Sequence, residues 1–166
     1  MAGENLMPTF KTVASPKPFT ISATPTITAG AYSAADAVGG LITFADAAYG
    51  DGRGNIRHFI VIDDADQGVE LELHLFDRTF TATADNAAFA PSDDDLENYI
   101  GFVQVLTTSY ANFSTNQVAT TTNYDFPFNL APGGTSLFGQ LVTRGTPTYA
   151  AVDDLTVKLV IMRYGS

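Results

Sequence analysis

Three aspartates stand close together in a short polar stretch, and carboxylate oxygens are the ligands that calcium prefers. Asp63, Asp64 and Asp66 fall within the sequence DDADQG. Their spacing lacks the regular acids and the distal glutamate of an EF-hand loop. Turn aspartates also accept hydrogen bonds from their own backbone, and that role explains this group without a metal. The sequence therefore predicts a turn here and no metal site.

The two histidines of the chain, His58 and His74, lie in the runs on either side of that turn. Imidazole nitrogens bind zinc, but a zinc site needs further His, Cys or carboxylate ligands. No convincing third ligand accompanies this pair, so we expect the two histidines to face each other across neighbouring strands. His74 follows Glu72 by two residues, which makes it a candidate for titration near neutral pH.

Motifs for covalent catalysis and phosphate binding are missing from the sequence. There is no GxSxG and no Ser/His/Asp order that suggests a triad, and GDGRG lacks the lysine of a phosphate-binding loop. The absence of cysteine excludes thiolate catalysis, disulfides and Cys-based zinc sites. Paired acids for glycoside hydrolysis form only in three dimensions and stay open. We expect a protein that is not an enzyme and that needs no cofactor.

The elements that would position these residues are mostly strands. Residues 69–76 (VELELHLF) alternate between apolar and polar side chains, which puts the leucines on one face of a strand. We expect that face in the core and the glutamates and His74 in water. Residues 56–62 are rich in β-branched and aromatic side chains, so the two runs are predicted to pair as an antiparallel hairpin.

About eight strands are predicted, with one short helix capped by Ser92 in residues 91–98. A proline, Pro25, makes the first strand an edge strand. Little helix and no βαβ alternation indicate an all-β fold, and an eight-stranded antiparallel β-sandwich of jelly-roll type fits best. The predicted core residues are Leu71, Leu73, Leu75, Val157 and Leu159.

Composition limits both the size and the partners of the protein. The chain has 166 residues, 45% of them hydrophobic, which suits one domain with a sizeable core. Eighteen acidic residues against 8 basic ones give a net charge of −10, which argues against nucleic-acid binding. No apolar run is long enough to span a membrane, so no membrane association is expected.

Residues 1–18 differ from the rest, because prolines and lysines occur there without strand periodicity. We expect an extended N-terminal arm at 1–18 and a β-sandwich domain at 19–166. The arm is the one net-basic stretch of an acidic chain, and it is therefore predicted to attach the protein to a partner. The residues assigned to that attachment are Lys11, Pro16, Lys17 and Pro18.

Three long segments resemble a group of small structural proteins encoded in tailed-phage genomes. They are TITAGAYSAADAVGGLITFADAA, LFDRTFTATADNAAFAPSDDDLENYIG and SLFGQLVTRGTPTYAAVDDLTVKL. The similarity extends from about Thr24 to Leu159 and leaves out the N-terminal arm. The resemblance implies a virion component, and most directly a jelly-roll decoration or cement protein on the capsid. It implies no catalytic residues.

The expected function is therefore that of a non-enzymatic decoration protein on the outer capsid surface. Its expected partners are the major capsid protein and its own copies, as a homotrimer. The alternative is a carbohydrate- or receptor-binding module on a head or tail fibre. Aromatic residues in or beside predicted loops, which include Tyr32 and Tyr49, either cap the ends of the sandwich or form contact patches for a subunit or a glycan. The residues assigned to such contacts are Tyr110, Phe113, Tyr124, Phe126, Phe128 and Tyr149.

Overall fold

Two antiparallel β-sheets pack face to face in the structure, a computed structural model that describes residues 15–121 and 124–165. The described residues also form the helix α1 (Asp93–Leu96) and a 3₁₀ turn at Thr107–Ser109. The strands are β1 (Lys17–Ala23), β2 (Ala37–Phe44), β3 (Arg53–Asp63), β4 (Leu71–Phe76), β5 (Tyr99–Val105), β6 (Tyr110–Asn112), β7 (Gln117–Thr121), β8 (Phe126–Asn129), β9 (Leu137–Thr143) and β10 (Leu155–Arg163).

The order of the strands is that of a jelly roll. One sheet has the order β1-β10-β3-β7-β6, with β8 also paired to β3, and the other has the order β2-β9-β4-β5. With the short strands β6 and β8 set aside, successive strands alternate between the sheets except at the β4–β5 hairpin. The predicted all-β sandwich is therefore confirmed. The described residues contain ten strands rather than about eight, because β6 and β8 extend the six-stranded sheet.

The first strand lies at a sheet edge, as expected, but it begins earlier than predicted. Lys17 and Pro18 already pair with Arg163 and Met162 of β10, so the last two residues assigned to the arm belong to β1. Pro16 immediately precedes the strand. The arm residue Lys11 lies outside the described residues.

The predicted hairpin between residues 56–62 and 69–76 is wrong. β3 and β4 belong to different sheets, and residues 64–70 cross from one sheet to the other. The predicted histidine pair is wrong for the same reason: His58 lies opposite Val160 of β10, and His74 lies between Gln140 and Phe102. Alternation fixes which face of a strand is buried, but two strands can bury those faces in one core from opposite sheets.

The core lies between the sheets and includes the residues that the alternation predicted. Leu71, Leu73 and Leu75 of β4 face Val157 and Leu159 of β10, and all five side chains are fully buried. The aromatic rings of Phe44 and Phe59 are also fully buried there. Burial of apolar surface on this scale is the dominant stabilising contribution to such a fold.

The short helix is confirmed, together with its cap. The amide of Asp95 donates to Oγ of Ser92 at 3.2 Å, which satisfies one of the free N–H groups at the start of α1. Three aspartates occupy the first turn, where the helix dipole favours negative charge. The helix lies within residues 77–98, the connection between β4 and β5, which we call the strap.

The strap covers the outer face of the four-stranded sheet. The ring of Phe80 stacks on Phe76 with 3.8 Å between centroids, and Phe89 packs on His74 at 4.6 Å. The side chain of Gln140, fully buried on β9, exchanges hydrogen bonds with the backbone of Thr83. The expectation that this face of β4 is in water is therefore wrong, because a long connection folds back over it.

Candidate functional site

A buried polar network lies under the strap, on the outer face of β4. Arg144 Nη2 donates to Oε2 of Glu72 at 2.5 Å, and the same oxygen lies 3.0 Å from Nε2 of His74. Nδ1 of His74 lies 3.0 Å from the hydroxyl of Tyr99. Glu72 and His74 are only 8% and 9% exposed, so these two side chains are removed from bulk water, whereas the Arg144 side chain is 38% exposed.

The protonation states in this network follow from its surroundings. Burial lowers the pKa of His74, although the neighbouring Glu72 opposes that effect. Burial alone would raise the pKa of Glu72, but its bonds to Arg144 and His74 outweigh that effect and lower it. His74 is therefore neutral at pH 7, with its hydrogen on Nε2 facing the carboxylate, and its Nδ1 accepts from Tyr99.

A hydroxyl, an imidazole and a carboxylate are hydrogen-bonded in the same order as in a catalytic triad. Their environment differs from that of a catalytic triad. Burial raises the pKa of the Tyr99 phenol, so the hydroxyl stays protonated and is a poor nucleophile. The rings of Phe89 and Phe102 pack against His74 at 4.6 and 5.4 Å and occupy the space beside the imidazole. The arrangement can orient a strap on a sheet. His74 itself is only 9% exposed.

The aspartates of residues 63–68 organise the crossover loop. The carboxylate of the buried Asp63 accepts hydrogen bonds from the amides of Ala65, Gln67 and Gly68 at 3.1, 2.9 and 2.7 Å. Burial raises the pKa of Asp63, whereas these backbone bonds oppose the shift. In the described part of the chain, no group of three or more His, Asp or Glu side chains could hold a metal ion.

Most of the aromatic residues that were predicted in or beside loops pack into or against the core, and Tyr110, Phe126 and Phe128 lie in strands. Tyr32, Phe128 and Tyr149 are buried, with exposed fractions of 2–4%. Tyr49 is half-buried beside Arg163, whose guanidinium lies 4.7 Å from its ring centroid. The other contact candidates that are half-buried against the core are Tyr110, Tyr124 and Phe126.

Phe113 differs from these residues, because 61% of its surface is exposed. Among the residues assigned to contacts, Phe128 and Tyr149 thus offer no surface to a partner, whereas Phe113 does. A groove of about 320 Å³ lies elsewhere, between the end of β1 and the edge strand β2. It is lined by Ala23, Thr24, Pro25, Thr26, Gly40, Leu41, Ile42 and Thr43.

The outer face of the six-stranded sheet is open, in contrast to that of the four-stranded sheet. In β3 and β10 the buried residues alternate with half-buried ones, and the half-buried positions pair with each other across the strands. No described element packs over them. We call this surface the open face, and its central apolar residues are Ile60, Ile62, Val118, Val160 and Met162.

The sheet that carries the open face also carries most of the positive charge. Of the 8 lysines and arginines in the sequence, five lie in its strands, which contain a single acid, the inward-facing Asp63. Lys158 lies among the apolar residues of the open face, and the half-buried Arg57 lies beside them at a bulge of β3, where it pairs with Asp125 at 3.2 Å. The five cations are Lys17, Arg53, Arg57, Lys158 and Arg163.

The sequence did not reveal the open face, although its residues belong to predicted strands. Every strand of a sandwich has an outward face, and the pattern does not say which sheet is covered by a connection. The excess of lysine and arginine in β1, β3 and β10 was the available signal, but it becomes a surface only when these strands are neighbours.

No protein-family model matches the chain, and no curated protein matches it either. Within the described residues, no helix is long and apolar enough to cross a membrane.

Proposed function

We propose that this protein is a non-enzymatic structural component of a tailed-phage particle that binds the outer surface of the head shell as a decoration protein. The open face supports this proposal most directly. It is a partly apolar surface with Lys158 at its centre, on a chain whose net charge is −10. Jelly rolls are also frequent among viral capsid proteins, which agrees with the resemblance of the sequence.

The chemistry of the open face indicates an acidic protein surface as its partner. Apolar side chains such as Ile60 and Val160 would supply the buried centre of the contact, where charge is usually depleted. Lys158 would meet carboxylates of the shell and orient the protein on it. The acidic strap, with Asp93, Asp94 and Asp95, lies on the opposite side of the sandwich and would face solvent.

The N-terminal arm keeps a part in this proposal. Lys17 and Pro18 begin β1, which borders the open face at the edge of the same sheet. Residues before them are therefore joined to the body at the margin of the proposed contact, and Lys11 adds to its charge. Many copies bound in this way would stabilise the shell by mass action, since each binds the assembled form and not the dissociated one.

The alternative, a glycan- or receptor-binding module, has less support. Sugar sites usually present exposed aromatic rings beside polar groups, but Tyr32 and Tyr149 are buried. The groove between β1 and β2 is lined by threonines, a proline and aliphatic residues, with no aromatic ring.

Co-sedimentation with undecorated capsids tests the proposal. Lys158→Glu should weaken binding by about tenfold or more, because it places a negative charge in the centre of the contact. Arg78→Glu is the matched control: it makes the same change of charge on the strap, where Arg78 is 53% exposed. Equal loss of binding in both variants would mean that net charge alone matters, and would contradict an interface at the open face.

If the wild-type protein did not bind the particle at all, the decoration function itself would be contradicted. A thermal melt of each variant checks that binding was not lost through unfolding. The Lys158 side chain lies on the outer face of the sheet. The melting temperature of the Lys158→Glu variant should therefore stay within a few degrees of wild type.

A further inference from the structure

One long segment of this acidic protein is free of charge. From residue 99 to residue 124 there is no Asp, Glu, Lys, Arg or His, although 16% of the chain is charged. Charged residues elsewhere keep the copies of an acidic protein apart. A segment of this length without them is unusual for a surface that only meets water.

Residues 99–113 of this segment run along one side of the sandwich. β5 is the last strand of the four-stranded sheet and β6 is the last strand of the six-stranded sheet. The 3₁₀ turn at Thr107–Ser109 joins them, so the chain runs from one sheet margin to the other. We call residues 99–113 the β5–β6 side.

Large apolar side chains are exposed on the β5–β6 side. Phe102 and Leu106 are each 41% exposed, and Phe113 is 61% exposed. Seven large apolar residues in the described part of the chain are at least 38% exposed, and three of them belong to this segment. The neighbouring acids stand at its margins: Asp66 bonds to Asn112, and Asp125 bonds to Asn55.

The opposite side of the sandwich has the features that protect sheet edges from association. β1 begins with Lys17 and Pro18, and β2 is interrupted at Gly39, whose φ is 73°. Lysine, proline and bulges all discourage an edge strand from pairing with another chain. β5 has a bulge near Ile100 but neither lysine nor proline.

We propose that the β5–β6 side binds a second copy of this chain. A copy carries the same net charge of −10, so two copies can approach closely only where charge is absent. Contacts between identical chains are also more apolar than other protein surfaces. The amide of Gln104 donates to the hydroxyl of Tyr124 at 3.2 Å, so at this point of the β5 edge a second copy would meet a side chain and not a free amide.

This contact is compatible with the open face but does not depend on it. The β5–β6 side lies at the margin of both sheets, so two copies can meet there and direct their open faces the same way. Two joined copies would bind a shell with higher avidity than a monomer would. The self-contact is tested without any capsid, so its failure and that of the decoration function can be told apart.

Sedimentation equilibrium of the purified full chain tests this inference. The wild-type protein should be an oligomer, and Leu106→Asp and Phe113→Asp should each weaken association by about tenfold or more, because they bury a charge in an apolar contact. Leu41→Asp is the matched control, because it adds the same charge at a residue that is 40% exposed on the opposite side.

A wild-type monomer at the highest soluble concentration would overturn the inference. Equal weakening by Leu41→Asp would also overturn it, since net charge and not the β5–β6 side would then control association. Because Leu106 and Phe113 are independent exposed positions, a folding defect in one variant leaves the other as a test.

Discussion

His74 donates its Nε2 hydrogen to Oε2 of Glu72 at 3.0 Å, and both side chains are buried on the outer face of β4. Two polar residues that the alternation assigns to water thus lie beneath a strap. The carboxylate is neutralised by Arg144, and the imidazole is enclosed by Phe89 and Phe102. Stability should depend on the charge state of this pair, because both an imidazolium and an unpaired carboxylate are costly to bury.

We expect the stability of the protein to fall as the pH drops below 6.5. The pKa of His74 in the folded protein lies below its ordinary value of 6.5, so the unfolded chain binds the proton more strongly. His74 therefore contributes stability above pH 6.5, and this is lost as the pH falls through the folded pKa. The pKa of Glu72 is lowered below 4.5, so its contribution is lost only at more acidic pH.

Urea unfolding midpoints measured at a series of pH values check this expectation. His74→Gln keeps a polar side chain of similar size but does not titrate, so the decrease that begins near pH 6.5 should disappear in the variant. A variant with the same pH dependence as wild type would show that another group is responsible.

Leu73→Ala should lower the free energy of unfolding by about 2–5 kcal/mol, the range for large-to-small changes in packed cores. Leu73 is fully buried between the sheets, and little can move to fill the space. Leu41→Ala serves as a control, because that leucine is 40% exposed and its truncation should cost much less. If denaturant melts showed the same small loss in the free energy of unfolding for both variants, the packing described for β4 would be contradicted.

Gln140→Leu should loosen the strap more than it changes the core. The side chain donates to the carbonyls of Gly39 and Thr83 at 2.9 and 2.7 Å, and its Oε1 accepts from the amide of Thr83. Each of these groups left unsatisfied costs about 1–3 kcal/mol. Hydrogen exchange should accelerate at the amide of Thr83, and Gln104→Leu, at the half-buried edge of the same sheet, should leave that amide protected.

Deletion of residues 1–14 should weaken capsid binding and leave the melting temperature nearly unchanged, because every described strand begins after that segment. Lys11→Ala should cause part of the same loss in low salt, where charge contributes most. Full-length and shortened proteins are compared by co-sedimentation with undecorated capsids. Equal binding would restrict the interface to the sandwich, and a large drop in melting temperature would give the segment a structural role.

Local rules predicted the parts of the fold that depend on neighbouring residues. The leucines of β4 are buried because side chains alternate along any strand, whichever strand lies beside it. Ser92 caps α1 because its hydroxyl reaches an amide three residues later. Pro25 correctly indicated an edge for the first strand, although it lies just beyond the end of β1.

Contacts between distant residues decided the rest, and a local pattern contains no information about them. The alternation in residues 56–62 and 69–76 is the same whether the strands pair with each other or lie in opposite sheets. The strap helps to bury His74 through the ring of Phe89 and holds Gln140 through the backbone of Thr83, and no spacing predicts either contact. The sequence thus determined which residues alternate, cap and turn. The tertiary structure alone decided which outer face is covered and which is left open, because one connection folds back over the four-stranded sheet and none of the described residues covers the other.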